Sequence, residues 1–154
     1  SVDKMPIMPE KLLLAPLVKT LPLCIDAIAS ADLIILGPGS FLTSVIPPLL
    51  VGDITKAIQA SSAHCVFIEN LGAEESPAAA LSLDEKLNWI KQNIGCLPID
   101  SVICHDENVT SAILPVIHCD LSNASGSLYH DKEKLINALK LCISKIEKQQ
   151  VKSA

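Results

Sequence analysis

Ala31-Asp32-Leu33-Ile34-Ile35-Leu36-Gly37-Pro38-Gly39-Ser40-Phe41-Leu42-Thr43-Ser44 decides how this chain is read, because an apolar β-branched run passes directly into a glycine loop and then into hydroxyl side chains. A strand buried on both faces of a parallel sheet reads as such a continuous apolar run. Glycines let the backbone turn sharply and approach a ligand closely. A helix opening near Ser40 or Thr43 would aim its first unpaired N–H groups and the positive end of its dipole at an anion. The loop is therefore a candidate phosphate cradle. The same residues also suit a strand-to-helix turn with nothing bound, in which Ser40 or Thr43 caps the helix.

Outward from this stretch the pattern alternates. Lys11 to Ala15 is predicted as a strand, Leu21 to Ala29 as a helix opened by Pro22, and Asp32 to Leu36 as the next strand. Ser44 to Val51 and Asp53 to Ala60 read as helical pieces separated by Gly52, with Asp53 at the cap or in the first turn. Cys65 to Glu69 returns to strand. Leu83, Leu87 and Ile90 fall at helical spacing, Ser82 and Glu85 match a capping box, and Gly95 supplies the stop. Ser101 to Cys104 and Leu114 to His118 are short apolar strands, and Lys132 to Lys148 is an amphipathic helix with Leu135, Leu139, Cys142 and Ile146 on one face. Strands alternating with helices imply right-handed crossovers. The expected fold is α/β, a three-layer Rossmann-like sandwich with a mainly parallel sheet.

The 154 residues suit one domain, yet 49% are hydrophobic, only 19% are charged, and the mean hydropathy is +0.42. No run approaches the roughly 18 apolar residues of a membrane helix, and the N-terminus lacks a basic region followed by an apolar signal core. The excess apolar surface is therefore expected to be covered by a partner segment or a second copy, a homo-oligomer such as a dimer, with no membrane involved. The net charge of −5 and the lack of a dense basic run outside the C-terminal helix argue against nucleic acid as a partner, and all twelve basic residues are lysine. Without arginine forks, a phosphate held here must rest on amides, hydroxyls or lysine. The six cysteines form no Cys-x-x-Cys pair and read as reduced, mostly buried thiols, which fits a cytoplasmic protein. His105-Asp106, His118-Cys119-Asp120 and His130-Asp131 carry metal-ligand chemistry but none has the spacing of a zinc motif, so no metal site is assigned.

The string Gly37-Pro38-Gly39-Ser40-Phe41-Leu42-Thr43-Ser44, with Pro47 and Leu49-Leu50 after it, resembles the signature of the gluconeogenesis factor family, which is related to the 2-phospho-L-lactate transferases of deazaflavin cofactor synthesis. Phe67-Ile68-Glu69-Asn70-Leu71-Gly72 resembles that family's strand ending in Asn-Leu, and Tyr129-His130-Asp131 its late His-Asp element. The resemblance runs from about Leu14 to Ala138 and is nearest the short proteobacterial branch. Two departures stand out. Leu42 replaces a usual aromatic residue, and Gly72-Ala73-Glu74-Glu75-Ser76-Pro77 replaces a loop that the Gram-positive branch is thought to use for UDP-sugars. The family's own N-terminal glycine-rich turn does not occur in these residues. The chain thus resembles a C-terminal half over residues 1–154, and its start at Ser1 is expected to reflect a piece of a longer protein.

The resemblance implies a regulatory protein that binds a nucleotide or nucleotide-sugar, such as a UDP-sugar, and acts in cell shape and growth on gluconeogenic carbon sources. The rival is an enzyme moving a phospholactyl group from a guanosine diphosphate donor to a deazaflavin, with magnesium. The candidate binding residues are Gly37, Pro38, Gly39, Ser40, Thr43, Ser44, Asn70, Leu71 and Gly72. The amides of Gly39 and Ser40 and the hydroxyls of Ser40, Thr43 and Ser44 would hold phosphate, while Asn70 would orient a ribose, base or amide. Asn70 can equally tie down its own turn. Glu74 and Glu75 are candidate bases or metal ligands, or solvated loop acids. His130 and Asp131 are either an acid–base pair or, for Asp131, a helix cap.

Overall fold

The structure, a computed structural model, describes residues 2–16, 18–126 and 128–153, with side chains through residue 146. Leu33–Leu36 forms β1, His64–Ile68 β2, Ser101–Cys104 β3 and Val116–His118 β4. They lie in one sheet in the order β1-β2-β3-β4, every neighbouring pair parallel. The registers place Leu33 beside His64, Phe67 beside Val102 and Ile103 beside Ile117. At the start of the ladder the Asp100 carboxylate accepts the Cys65 N–H at 2.7 Å, and the Asp100 N–H donates to the Cys65 carbonyl at 2.8 Å. This side-chain clamp aligns the entry of β2 with the turn before β3.

Alternation along each strand sends side chains to two faces, and both are covered. One face packs Leu36, Cys65, Phe67 and Val102 against a cluster containing Phe41, Leu42, Ile46, Leu49, Leu87 and Ile90. The helices that supply it are α2 (Ile46–Leu49, entered through a π-helical turn at Phe41–Val45), α3 (Gly52–Ala60) and α4 (Leu83–Ile94). α1 (Pro22–Ala29) packs on α3 at its edge. The opposite face packs Val66, Ile68, Ile103 and Ile117 against Ala138 and Cys142 of α5 (Lys132–Ser153), with Leu135, Leu139 and Ile146 beside them. The result is the expected three-layer α/β sandwich.

Local chemistry explains the clearest boundaries. Ser82 accepts the Glu85 N–H while the Glu85 carboxylate accepts the Ser82 N–H at 2.7 Å, a reciprocal capping box that opens α4. Gly95 closes the helix at φ 87°, where a side chain would be strained. Asp53 lies in the first turn of α3, and the cap position is Val51.

One predicted strand is absent. Lys11 to Ala15 is irregular, because α4 draws the preceding backbone out of any ladder: the Pro9 carbonyl accepts Trp89 Nε1–H at 2.8 Å and the Glu10 carbonyl accepts Asn93 Nδ2–H at 3.2 Å. Leu12 then packs against the main core. Pro16 has no N–H to offer a neighbouring strand. The strand predicted from Leu114 begins only at Val116, after Pro115. No single helix among the described residues is long and apolar enough to cross a membrane.

Leu87 on α4 is fully buried in the main core. Leu87→Ala is expected to cost about 2–5 kcal/mol in urea unfolding, whereas Leu141→Ala, on the exposed side of α5, is expected to stay within about 0.5 kcal/mol.

Candidate functional site

In an open parallel sheet, ligands bind beyond the carboxyl ends of the strands. Here those ends carry Gly37–Ser40 after β1, Glu69–Gly72 after β2, His105–Asn108 after β3 and Cys119–Asp120 after β4. Gly37 brings the first loop over the end of β2. Its φ is +76°, and a Cβ there would lie 2.9 Å from the Ile68 carbonyl oxygen, so only glycine fits.

Asn70 then joins the two loops. The Gly39 N–H donates to Asn70 Oδ1 at 3.0 Å, and Asn70 Nδ2–H donates back to the Gly39 carbonyl at 3.1 Å. Asn70 therefore ties down the neighbouring loop rather than its own turn, and the Gly39 amide, expected to hold phosphate, is committed to it.

The remaining donors of the loop converge on carboxylates. Ser40 Oγ–H donates to Asp3 Oδ1 at 2.9 Å, Thr43 Oγ1–H to Asp3 Oδ2 at 3.0 Å, and the Phe41 N–H to Glu74 Oε2 at 3.0 Å. Ser40 occupies the cap position of the helical turn, yet its side chain caps no helical N–H. Ser44 is exposed and its N–H donates to the Ser40 carbonyl at 2.8 Å; Pro38 is exposed as well. Leu71 packs against the cluster under α5, and Gly72 lies so close to Leu128 that a Cβ would meet its Cδ2 at 3.1 Å. Leu42 is 1% exposed, so its side chain points into the core and not into the crevice.

Behind Asn70 a cavity of about 290 Å³ is lined by Glu69, Gly72, Glu74, Ser82, Lys86 and Asp106, among others. At its floor Lys86 Nζ lies 2.9 and 3.0 Å from the two Glu69 carboxylate oxygens. Both groups are largely buried, so each depends on the other for compensation. Glu74 Oε1 is buried and has no hydrogen-bond partner among the described residues. A second cavity, of about 540 Å³, adjoins past β3 and β4 and is lined by Leu71, His105, Asp106, His118 and Asp120. Both cavities carry carboxylates, and Lys86, which lines the first, is already paired with Glu69.

The histidines serve the frame. His130 Nε2–H donates to the Glu69 carbonyl at 3.2 Å, and Asp131 caps α5 by accepting the Lys134 N–H at 3.0 Å, so the two side chains act separately and not as an acid–base pair. His105 Nδ1 accepts the Leu121 N–H at 3.2 Å, and His118 Nε2–H donates to the Val109 carbonyl at 2.8 Å. Asp120 takes Lys134 Nζ at 2.6 Å, and that bond, with two more from Ser122, holds its carboxyl well below the usual range. Hydrogen bonds from Asn108 lower Asp106. Among the described residues no three His, Cys, Asp or Glu side chains gather where they could hold a metal. Glu75 is exposed.

A third cavity, of about 480 Å³, opens at the other end of the sheet between Asp32, Ser61, His64 and Asp100. Its Cys65 thiol is pushed up to about 12 by burial and then by the Asp100 charge, which leaves it inert as a nucleophile. All six cysteines are free thiols.

Asp3, Glu69 and Lys86 were not singled out by sequence reasoning. Lys86 carried a signal, since it lies on the stripe Leu83, Leu87, Ile90 that faces the core. Asp3, 37 residues from Ser40, carried none.

Asn70→Ala leaves both Gly39 groups unpaired, and is expected to cost about 1–3 kcal/mol and to speed hydrogen exchange at Gly39 about tenfold or more. Burial lowers the His130 pKa in the folded chain, so the unfolded chain takes up the proton first. Stability is then full above about pH 6.5 and falls as pH drops below it. His130→Gln should flatten that part of the profile in unfolding measured between pH 7.5 and 5.5.

Residues 2–146 match the profile of the family described as 2-phospho-L-lactate transferase CofD. A Pasteurella multocida protein provisionally named gluconeogenesis factor is 37% identical over 147 residues, covering 90% of this chain and 46% of the relative. A Vibrio cholerae protein with the same provisional name is 40% identical over 141 residues, covering 90% and 48%. A crystal structure of a UPF0052 family member from Bacillus halodurans superposes with a TM-score of 0.71 at 26% identity, over 82% of this chain and 49% of that one. The chain thus spans about half the length of the curated relatives it matches. With the glycine loop, the Asn70 clasp and the parallel sheet in place, and with residues 2–146 of its 154 matched by the profile, the chain belongs to the 2-phospho-L-lactate transferase CofD family and is a homologue of its gluconeogenesis factors.

Proposed function

We propose that the crevice at the carboxyl ends of the strands receives the phosphate of a nucleotide or nucleotide-sugar, a UDP-sugar being the first candidate, and that the protein is a regulator rather than a catalyst. The observation that carries this reading is the convergence of Ser40 Oγ, Thr43 Oγ1 and the Phe41 N–H on carboxylate oxygens at 2.9–3.0 Å. A loop whose donors already hold anionic oxygens is organised for a phosphate, which presents the same kind of acceptor. The relatives' name supports a role in growth on gluconeogenic carbon sources; the proposed role extends to cell shape, in the cytoplasm.

The family's description supports a second reading, transfer of a phospholactyl group; the donor would be a guanosine diphosphate compound and the acceptor a deazaflavin. Magnesium would supply charge neutralisation on the donor phosphates. Such an ion keeps several waters and needs only one or two carboxylates beside the phosphates, and Glu74 Oε1 is a buried oxygen available to it. The chain's own residues would then position the donor: the loop hydroxyls at a phosphate, Asn70 by fixing the loop.

Titration calorimetry separates the readings. UDP-N-acetylglucosamine, UDP-glucose, GDP and NAD are offered to this chain and to the longer Pasteurella multocida relative. A UDP-sugar is expected to bind this chain, with a Ser40→Ala, Thr43→Val double variant weaker by tenfold or more. Unchanged affinity in that variant, or no binding by either protein, refutes the nucleotide site. Phospholactyl product from deazaflavin, donor and magnesium would replace the regulator by the transferase.

A further inference from the structure

Residues 2–10 run between the glycine loop and α4, and different chemistry pins the two ends. At α4 the Pro9 carbonyl accepts Trp89 Nε1–H at 2.8 Å and the Glu10 carbonyl accepts Asn93 Nδ2–H at 3.2 Å, so this end is held through neutral backbone acceptors. At the loop, Val2–Lys4 forms a short 3-10 turn closed by the Met5 N–H on the Val2 carbonyl at 3.1 Å, and Asp3 projects from it. Between the two anchors Met5, Pro6 and Ile7 are exposed, Ile7 at 72%.

The Asp3 carboxylate gives one oxygen to each loop hydroxyl. Oδ1 accepts Ser40 Oγ–H at 2.9 Å and Oδ2 accepts Thr43 Oγ1–H at 3.0 Å. Two oxygens of a phosphate would occupy this pair of donors in the same way. A hydroxyl has a single proton to donate, so Asp3 and a phosphate cannot hold both groups together, and their like charges add to the exclusion. Asp3 forms no ion pair among the described residues. Lys4 lines the cavity of about 340 Å³ beside Ser40 together with Asp3, Glu74 and Glu75, and its charge offsets the repulsion that the two glutamates exert on Asp3. Glu74 differs from Asp3: it lines this cavity and also the one behind Asn70, and so belongs to the wall of the crevice.

We propose that residues 2–8 are an autoinhibitory strap, in which Asp3 stands in for the ligand's phosphate and swings away from Ser40 and Thr43, about the α4 anchor, when ligand binds. The proposal deepens the nucleotide reading and rests on it for the presence of a phosphate in the ligand. A strap closed for about nine-tenths of the time lowers the apparent affinity about tenfold, because only the open fraction binds. A carboxylate that merely ordered the loop would act in the opposite sense: its loss would loosen Ser40 and Thr43 and weaken binding.

Inorganic pyrophosphate is the probe, titrated by calorimetry and by amide NMR into this chain, into Asp3→Ala and into Glu10→Gln, which removes an equal charge at the α4 end of the segment. Asp3 lies outside both core clusters, so its variant is expected to keep the circular dichroism of the parent. Asp3→Ala is expected to bind about tenfold more tightly than the parent, and Glu10→Gln within about twofold of it, since an exposed, distant charge is screened. Saturating pyrophosphate should move the Val2, Lys4 and Met5 amides of the parent to the shifts they show in Asp3→Ala without ligand, while the Trp89 Nε1 proton stays protected from exchange. Equal or weaker binding by Asp3→Ala, binding that leaves those amides in place, or no binding by either form overturns the strap. Release of the strap by pyrophosphate with no affinity for any nucleotide in the earlier titration would fault the nucleotide reading alone, whereas a UDP-sugar bound with the strap in place would fault the strap alone.

Discussion

The two hydrogen bonds between the Asn70 side chain and the Gly39 backbone are the constraint on which the crevice depends. β1 and β2 are parallel neighbours, so the sheet places their carboxyl ends side by side, but it does not by itself order the loops that follow. Gly37 brings the first loop against the Ile68 carbonyl, closer than any Cβ permits. Asn70 then satisfies a donor and an acceptor of that loop at once, since its primary amide carries both. With the loop fixed, the hydroxyls of Ser40 and Thr43 reach Asp3 and the Phe41 N–H reaches Glu74.

What those donors hold is informative about charge. Asp3 and Glu74 occupy them, and the neighbouring cavity pairs its buried lysine with Glu69. An entering phosphate would exchange one anionic acceptor for another and meet repulsion from the displaced carboxylates. Preorganised donors lower the ordering cost of binding, while the acidic surroundings raise its electrostatic cost. The balance favours a ligand that arrives with a cation. The chain has no arginine, so a protein cation at this site would be a lysine ammonium.

Much of the fold was legible because several local signals agreed. Ser82, Glu85 and Gly95 bracket α4 as read, and the apolar run Leu33–Leu36 is a strand of a parallel sheet. Lys11 to Ala15 failed because its apolar run Leu12-Leu13-Leu14 mimics a strand, whereas the adjoining backbone acceptors are taken by Trp89 and Asn93, 80 and 83 residues away. No local pattern encodes such a contact. In the site, the glycine loop and Asn70 were found as residue types with the right chemistry. Their roles were not, since a side chain that binds a ligand and one that clasps a loop look alike in sequence. The carboxylates of Asp3 and Glu74 arrive from distant segments, and the cap offered by Asp131 outcompeted its pairing with His130.

The account's central claim is that one crevice, built on the Asn70 clasp at the carboxyl ends of the strands, receives the ligand. The most direct measurement is amide and side-chain chemical-shift mapping of this chain by NMR during titration with UDP-N-acetylglucosamine. The account predicts that the Gly39, Ser40 and Phe41 amides and the Asn70 Nδ2 protons shift together and saturate with one affinity. Shifts confined to the opposite end of the sheet, around His64 and Asp100, or none at all, would contradict it.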